Sequence, residues 1–313
     1  MTHVDNPFKS PVVLSFCPGI LGIERGLARA GVDCRVAAYV EIEAYIIANL
    51  VAGMEAGLVD PAPIWTDAKT FDARPFRGKV HGIIGGYPCP GESLAGLREG
   101  HLYKGFLWPA LRKAIPAARP LWCFFENVDD HLTGTYPIVQ RSLRNMGYRV
   151  EEGIYTAGEV GAPHERKRLF ILAVANANCS STIRGFGNLL GKGRQNEEEA
   201  WQRERSGNEP GNIGKELAYA IGPRLSKQWH YGQQEEEINN RIGCSGSTLW
   251  PAGQGYYQHS WEEPRIIESG VGCTINGYNF REDILRAIGN SVVEQTAELA
   301  FIDLIHKHLK YLA

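Results

Sequence analysis

The 313-residue chain has no apolar run that approaches the ~20 residues a membrane-spanning helix needs, so no membrane partner is expected. It has no Cys-x-x-C pair either. Its seven cysteines, Cys17, Cys34, Cys89, Cys123, Cys179, Cys244 and Cys273, are odd in number and irregular in spacing, which suggests neither a disulfide framework nor a zinc cluster. No metal is expected, and a reducing compartment is the natural reading. The opening decapeptide MTHVDNPFKS lacks the apolar core of a secretion signal, so a cytoplasmic location is expected. There is no basic excess: 33 Lys and Arg face 35 Asp and Glu, a net charge of −2, which argues against a non-specific nucleic-acid coat and leaves a local basic cleft open. No repeat recurs at solenoid-like periods. Hydrophobic residues at 43% and charged residues at 22% suit a globular enzyme with a full core.

Over residues 1–175 short apolar runs alternate with helical spacing. Pro11 to Phe16 reads as a buried strand, and Ile23, Leu27 and Ala30 fall at helical spacing before Gly31. Cys34 to Val40 reads as a second strand that ends at Glu41. The pattern repeats with a strand at Val80 to Ile84, a helix at Leu107 to Ala117 and a strand at Leu121 to Phe125. A helix at Tyr136 to Met146 and strands at Tyr148 to Tyr155 and Arg168 to Val174 follow. Strands alternating with helices imply an α/β fold, a mostly parallel Rossmann-like sheet with helices on both faces. Composition shifts near Asn176. Residues 176–275 are rich in Gly, Asn, Gln, Ser and Glu and carry 10 Lys and Arg against 12 Glu, as a long insertion or a small separate domain would. Helical spacing returns from Ile284 to Leu309, interrupted by Arg-Ala-Ile-Gly-Asn-Ser.

Four places carry candidate chemistry, and each also has a bland reading. The turn Cys17-Pro18-Gly19-Ile20-Leu21-Gly22 can bring backbone close to a ligand at a helix start, and Glu41, 19 residues after Gly22, can accept from ribose hydroxyls. It can equally be a tight turn with a solvated acid. Cys89, in Gly85-Gly86-Tyr87-Pro88-Cys89, follows a strand end, where a thiolate is accessible; it can equally be a buried structural cysteine. Glu126, in Glu126-Asn127-Val128, stands at the end of an apolar strand, where desolvation raises a carboxyl pKa and lets it hold a proton; it can also be a cap or a surface acid. Arg166 and Arg168 lie on one side if the segment is extended, and suit a phosphate or carboxylate; they can also mark a solvated edge strand.

The ordered series Pro18-Gly19, Glu41, Pro88-Cys89, Glu126-Asn127-Val128, Arg166-x-Arg168 and Gly289-Asn290-Ser291-Val292 closely resembles the DNA cytosine-5 methyltransferases, in the style of their phage or prophage branch. The resemblance runs from Val12 to Ala175 and resumes from Asn276 to Ile305. It implies a catalytic domain of residues 1–175 plus 276–313, with S-adenosylmethionine as cofactor. Residues 176–275 would be an inserted target-recognition domain. Double-stranded DNA is the implied partner, a monomer the implied state, and a bacterial or phage-infected cell the implied setting, in which DNA protection against restriction is one use.

Residue by residue, the resemblance implies that the turn Cys17, Pro18, Gly19, Ile20, Leu21, Gly22 wraps the methionine part of the cofactor. Glu41 would bind the ribose, Ile42 lie against the adenine, and Asp67, beside Ala68, receive the adenine amino group. Pro88, Leu107, Asn290, Ser291 and Val292 would complete the pocket. Cys89 would attack carbon-6 of a flipped cytosine, Glu126 hold nitrogen-3, and Arg166 and Arg168 clamp the target nucleotide. Asn127 would brace the loop around Cys89, and with Ser93 and Arg98 it is expected on the DNA side.

The chain also departs from the family's usual pattern: Cys17 stands where Phe is usual, Leu21 where Gly is, Pro90 and His164 where Gln is. Pro90 bears on the shape of the loop Gly91 to Gly100, which the resemblance implies closes over DNA. Three rivals are kept. An RNA cytosine methyltransferase of the same fold is opposed by the hundred-residue insertion. A catalytically dead DNA-binding protein is opposed by the retained Cys89, Glu126, Arg166 and Arg168. A nicotinamide dehydrogenase is opposed by a glycine turn that is not G-x-G-x-x-G.

Overall fold

The structure is a computed structural model that describes residues 8–88, 106–162, 164–190, 286–287 and 289–312. Contacts divide the chain into two units, Met1–Gly191 with Ser269–Ala313, and Lys192–Glu268. All described residues belong to the first.

That unit is built on a seven-stranded sheet in the order β3-β2-β1-β4-β5-β7-β6. Its strands are β1 (Val12–Phe16), β2 (Arg35–Val40), β3 (Ile64–Trp65), β4 (Gly82–Gly85), β5 (Trp122–Val128), β6 (Tyr148–Tyr155) and β7 (Arg168–Ala175). The first five run parallel. β7 runs antiparallel to both β5 and β6, so it is the one reversed strand. The fold is therefore the mostly parallel α/β sheet that the alternation implies. The expected strands recur within a few residues. β3 and helix α2 (Ala44–Glu55) were not legible in the sequence, because β3 has two residues and α2 is mostly apolar, with only Asn49 and Glu55 to mark a polar face.

Both faces of the sheet are covered, which is why β5 and β7 read as continuous apolar runs. Alternation still sorts their side chains. Trp122, Phe124, Phe170, Leu172 and Val174 enter one core with α1 (Gly22–Arg29), α2, a helical run over residues 179–190 (α5) and α6 (Glu294–Lys310). Cys123, Phe125, Leu169, Ile171 and Ala173 enter the other, with α3 (Trp108–Ala118) and α4 (Tyr136–Asn145). Proline in the first turn of α3 and of α4 fits a position where no backbone N–H is needed. Past the composition shift at Asn176, α5 stays with this core: Cys179, Ile183 and Phe186 are buried. Their spacing of three and four is a helical face that the polar neighbours obscure.

α6 buries Ala297, Ala300, Phe301, Leu304 and Ile305 and lies along α1. The approach is close enough to demand glycine. A Cβ on Gly22 would meet the Val292 carbonyl oxygen at 2.1 Å, and one on Gly26 would meet the Ala297 Cβ at 2.5 Å. Arg29 adds a 2.7 Å ion pair to Glu298 at the rim. The sequence from 289 onward is thereby fixed beside the first turn of the chain.

In an open helix Gly→Ala stabilises by up to about 1 kcal/mol. At Gly26 the sign should reverse. Gly26→Ala is expected to lower unfolding free energy by about 1–3 kcal/mol through overpacking, read from urea denaturation. Unchanged or raised stability would contradict the close α1–α6 packing.

Candidate active site

Parallel strands of a doubly wound sheet place their carboxyl ends on one edge, and ligands bind there. Here that edge carries a cleft of about 450 Å³, within the range of small-molecule sites. β1 ends into Cys17 and Gly19, β2 into Glu41 and Ile42, β4 into Gly86, Tyr87 and Pro88, and β5 supplies Glu126, Asn127 and Val128; all line the cleft. Arg168 enters from the start of β7, Leu107 precedes α3, and Arg286, Ala287 and Asn290 come from the C-terminal segment.

The first turn is strained as its sequence suggests. Leu21 has φ 67° and Cys17 φ 51°, both in the left-handed region. Leu21 therefore adopts the backbone that glycine accommodates freely, at a cost of about 1–2 kcal/mol, offset by its own burial in the core. The Leu21 N–H donates to the Pro18 carbonyl at 2.9 Å, which closes the turn.

Glu41 is buried, and its Oε1 accepts the N–H groups of Ile42 at 2.8 Å and Glu43 at 2.9 Å. Burial pushes its pKa up, against the pull of backbone N–H groups of Glu43, Ile42 and Gly19. Beside it Ile42 is 68% exposed at the cleft, an apolar surface with no protein cover. A carboxylate next to a bare aliphatic face at a strand end suits a ribose and an adenine. The donor set thus fits S-adenosylmethionine.

Glu126 lies inside β5, two residues from its end. Pairing sets Val128 opposite Arg168 and Glu126 opposite Phe170, so Glu126 and Arg168 share a sheet face as diagonal neighbours. Arg168 Nε lies 3.0 Å from Glu126 Oε1. Burial pushes the Glu126 pKa up to about 7, even though the Arg168 and Arg166 charges lower it. The carboxyl passes so close to the next strand that a Cβ on Gly86 would sit 3.1 Å from Glu126 Oε2. Asn127 points to the opposite face, where its Nδ2 donates to the Tyr87 carbonyl at 2.9 Å. The Tyr87 hydroxyl lies 3.0 Å from His131 Nε2, whose Nδ1 lies 2.9 Å from Thr135 Oγ1. Buried side chains thus hold Tyr87, two residues before Cys89 in the sequence.

Not every expected residue reaches the cleft. Pro18, Ile20, Leu21, Gly22, Asp67, Ala68, Ser291 and Val292 are not among its lining residues. The first four shape the turn, and Asp67 Oδ1 accepts the Lys69 N–H at 2.9 Å in a local turn. Arg166 does not line it either, although it lies beside Arg168 in a smaller crevice and its charge also lowers the Glu126 pKa. Cys89, Pro90, Ser93 and Arg98 lie outside the described residues. Tyr45, Ile46, Glu43 and Arg286 line the cleft without having been anticipated. Tyr45 and Ile46 belong to the unassigned α2, and Arg286 pairs with Glu43 at 2.8 Å across 243 residues of sequence. Among the described residues, no group of three or more His, Cys, Asp or Glu could hold a metal ion, and no helix is long and apolar enough to cross a membrane.

Sheet order, reversed β7 and a cleft at the carboxyl edge define an S-adenosylmethionine-dependent methyltransferase fold. The solved structure of S. pombe Dnmt2 methyltransferase shares it, with a TM-score of 0.52 at 17% identity over 96% of this chain and 99% of that one. Residues 12–259 match the model of the C-5 cytosine-specific DNA methylases, and the chain belongs to that family. It is 26% identical over 192 residues to the orphan methyltransferase M.Rho11sI of Bacillus phage rho11s, covering 58% of this chain and 37% of that protein. It is 32% identical over 136 residues to the type II methyltransferase M.MspI of Moraxella sp, covering 38% of this chain and 32% of that protein. The matched segments thus span about a third of the length of these two relatives.

The Glu126 carboxyl can be observed directly. In protein labelled at glutamate carboxyls, its resonance is expected to titrate near pH 7 and to vanish in Glu126→Gln. A midpoint near the ordinary 4.5 would contradict the desolvated site.

Proposed function

We propose that this protein transfers a methyl group from S-adenosylmethionine to carbon-5 of cytosine in double-stranded DNA, through a covalent adduct on Cys89. The observation that supports this most is the buried Glu126 carboxyl, raised to about 7 and facing the same cleft as Pro88, the residue before Cys89. The four cysteines described support the choice of nucleophile. Burial pushes Cys17 up to about 12, with the Glu41 charge adding to it, and Cys34, Cys123 and Cys179 are also raised by burial. None is disposed to form a thiolate.

Cytosine carbon-5 is a poor nucleophile. When the Cys89 thiolate adds to carbon-6, the ring electrons pass to nitrogen-3, where the Glu126 proton meets them. Carbon-5 of the resulting enamine then takes the methyl group. A base removes the carbon-5 proton, the thiolate is expelled from carbon-6, and nitrogen-3 returns its proton. The cofactor supplies an electrophilic methyl group on a sulfonium centre. Glu41 would hold its ribose hydroxyls and Ile42 its adenine, with Gly19, Leu107 and Asn290 on the surrounding walls. Arg168 holds Glu126 in place, and Asn127 braces Tyr87. The target atom lies inside the duplex stack, so the base must be flipped out to reach the cleft. Within residues 176–275, the part that follows α5 would select the sequence in a unit of its own, and the chain would act as a monomer in the cytoplasm of a bacterial or phage-infected cell.

Three measurements test this reading. Duplex DNA with 5-fluorocytosine at the target should trap a protein–DNA adduct, since fluorine cannot leave as a cation. Mass spectrometry should place it on Cys89, and Cys89→Ser should lose it. A DNA-linked peptide centred on another cysteine would sink the mechanism. The adduct rate should also rise with pH only up to about 7 and level off above it, because Glu126 loses its proton there as fast as the thiolate fraction grows. A rate rising steadily from pH 6 to 9 would remove Glu126 from the step. In calorimetry, Glu41→Ala should weaken binding of S-adenosylhomocysteine by about 1–3 kcal/mol; binding equal to wild type would show that Glu41 is not the ribose ligand.

A further inference from the structure

Arg166 does not line the cleft that Arg168 lines; it sits with Arg168 and Val292 in a smaller crevice beside it, close enough for its charge to act on Glu126. Its Nη2 donates to two backbone carbonyls, Gly289 at 2.7 Å and Ser291 at 2.5 Å. Both acceptors lie in the segment whose Asn290 lines the cofactor side of the cleft. The same segment presses on the first turn, where the Val292 carbonyl oxygen leaves no room for a Cβ on Gly22. It also passes beside β4, with Val292 Cγ2 3.7 Å from where a Cβ on Gly86 would stand.

The Arg166 backbone is held at φ 42°, a conformation that costs a non-glycine residue about 1–2 kcal/mol. In an extended segment Arg166 would project on the same side as Arg168, toward the cleft. With the left-handed turn, the guanidinium ends on the carbonyls of the 289–291 segment instead of in the cleft. A planar group with several N–H donors can bridge two carbonyls of one segment.

We infer that Arg166 is a positioning residue for the cofactor, a clasp that holds the Gly289–Val292 wall of the cleft closed, and that it does not contact the target nucleotide. The inference rests on the methyltransferase reading of the cleft and deepens it. The paired arginines then divide two tasks. Arg168 holds the carboxyl that faces the base, and Arg166, two residues earlier, holds the wall that faces the cofactor. Both anchors depend on the seating of β7, so the two halves of the site are fixed by one strand start.

The test uses the full-length chain. Binding of S-adenosylhomocysteine is measured by calorimetry for the wild type, Arg166→Met, Arg166→Lys and Lys167→Met. Amide hydrogen exchange of the 289–292 segment is followed in the ligand-free proteins. Arg166→Met should weaken binding about tenfold or more, the expected consequence of losing charged hydrogen bonds to two carbonyls. It should also speed exchange at residues 289–292. Arg166→Lys should restore part of both, and Lys167→Met, at the exposed residue between the two arginines, should leave both near wild type. In steady-state methyl transfer, the larger part of the Arg166 loss should fall on the KM for cofactor rather than on kcat. If Arg166→Met fails to fold, Arg166→Lys carries the same comparison at smaller amplitude. Wild-type affinity and exchange in the Arg166 variants, with the loss confined to DNA binding, would overturn the clasp. A wild type that binds no S-adenosylhomocysteine would instead refute the function proposed for the cleft.

Discussion

The antiparallel seating of β7 against β5 is the contact on which the rest of the site depends. Seven residue pairs fix its register, from Trp122 with Val174 to Val128 with Arg168. A shift by one residue would turn every side chain of β7 to the other face. Arg168 would leave Glu126, and the alternating apolar residues of β7 would exchange cores. The register is strongly determined because both faces are buried: Leu169, Phe170, Ile171, Leu172, Ala173 and Val174 are all inaccessible to solvent. Packing of the strand therefore secures an electrostatic arrangement at its end that would be costly to maintain alone. Buried ion pairs add little net stability, so the pairing is better explained by what it does to Glu126.

Two opposing terms set that carboxyl. Enclosure favours the neutral acid, and the guanidinium of Arg168 favours the anion. The balance falls near neutral pH, where a group can both give and receive a proton at small cost. Glu41 faces the same desolvation and has backbone N–H groups for support. One carboxyl is thus held by a guanidinium that faces it across paired strands, and the other by the first N–H groups after its own strand. The two ends of the cleft are tuned by different means. They are joined structurally by the C-terminal segment, which the close packing of α6 on α1 returns to the first turn.

The strand-ending residues were the most legible part of the sequence. Glu41, Pro88 and Glu126 each follow or end a short apolar run, and strand polarity alone sends such residues to a common edge. Glu126 and Asn127 were placed just after a strand and prove to lie within it, because β7 pairs with β5 to its last residue. Arg166 and Arg168 were legible as a pair but not in their partners: Arg168 reaches Glu126, and Arg166 reaches two carbonyls of the C-terminal segment that only the folded chain brings near. α2 escaped because it is mostly apolar, with only Asn49 and Glu55 to mark a polar face. The Glu43–Arg286 pair could not be foreseen from local pattern, since only the folded chain brings positions so remote together. Glycine at 26 looked like an ordinary small residue in a helix, and its reason lies in α6.

The central claim concerns a base and an atom, and sequencing reads both. Genomic DNA from cells that express the chain, treated with bisulfite and sequenced, should show cytosines protected from conversion within one defined sequence context. The same cells expressing Cys89→Ser should show none. Full conversion of DNA with the active chain, or protected cytosines appearing only in cellular RNA, would contradict the account.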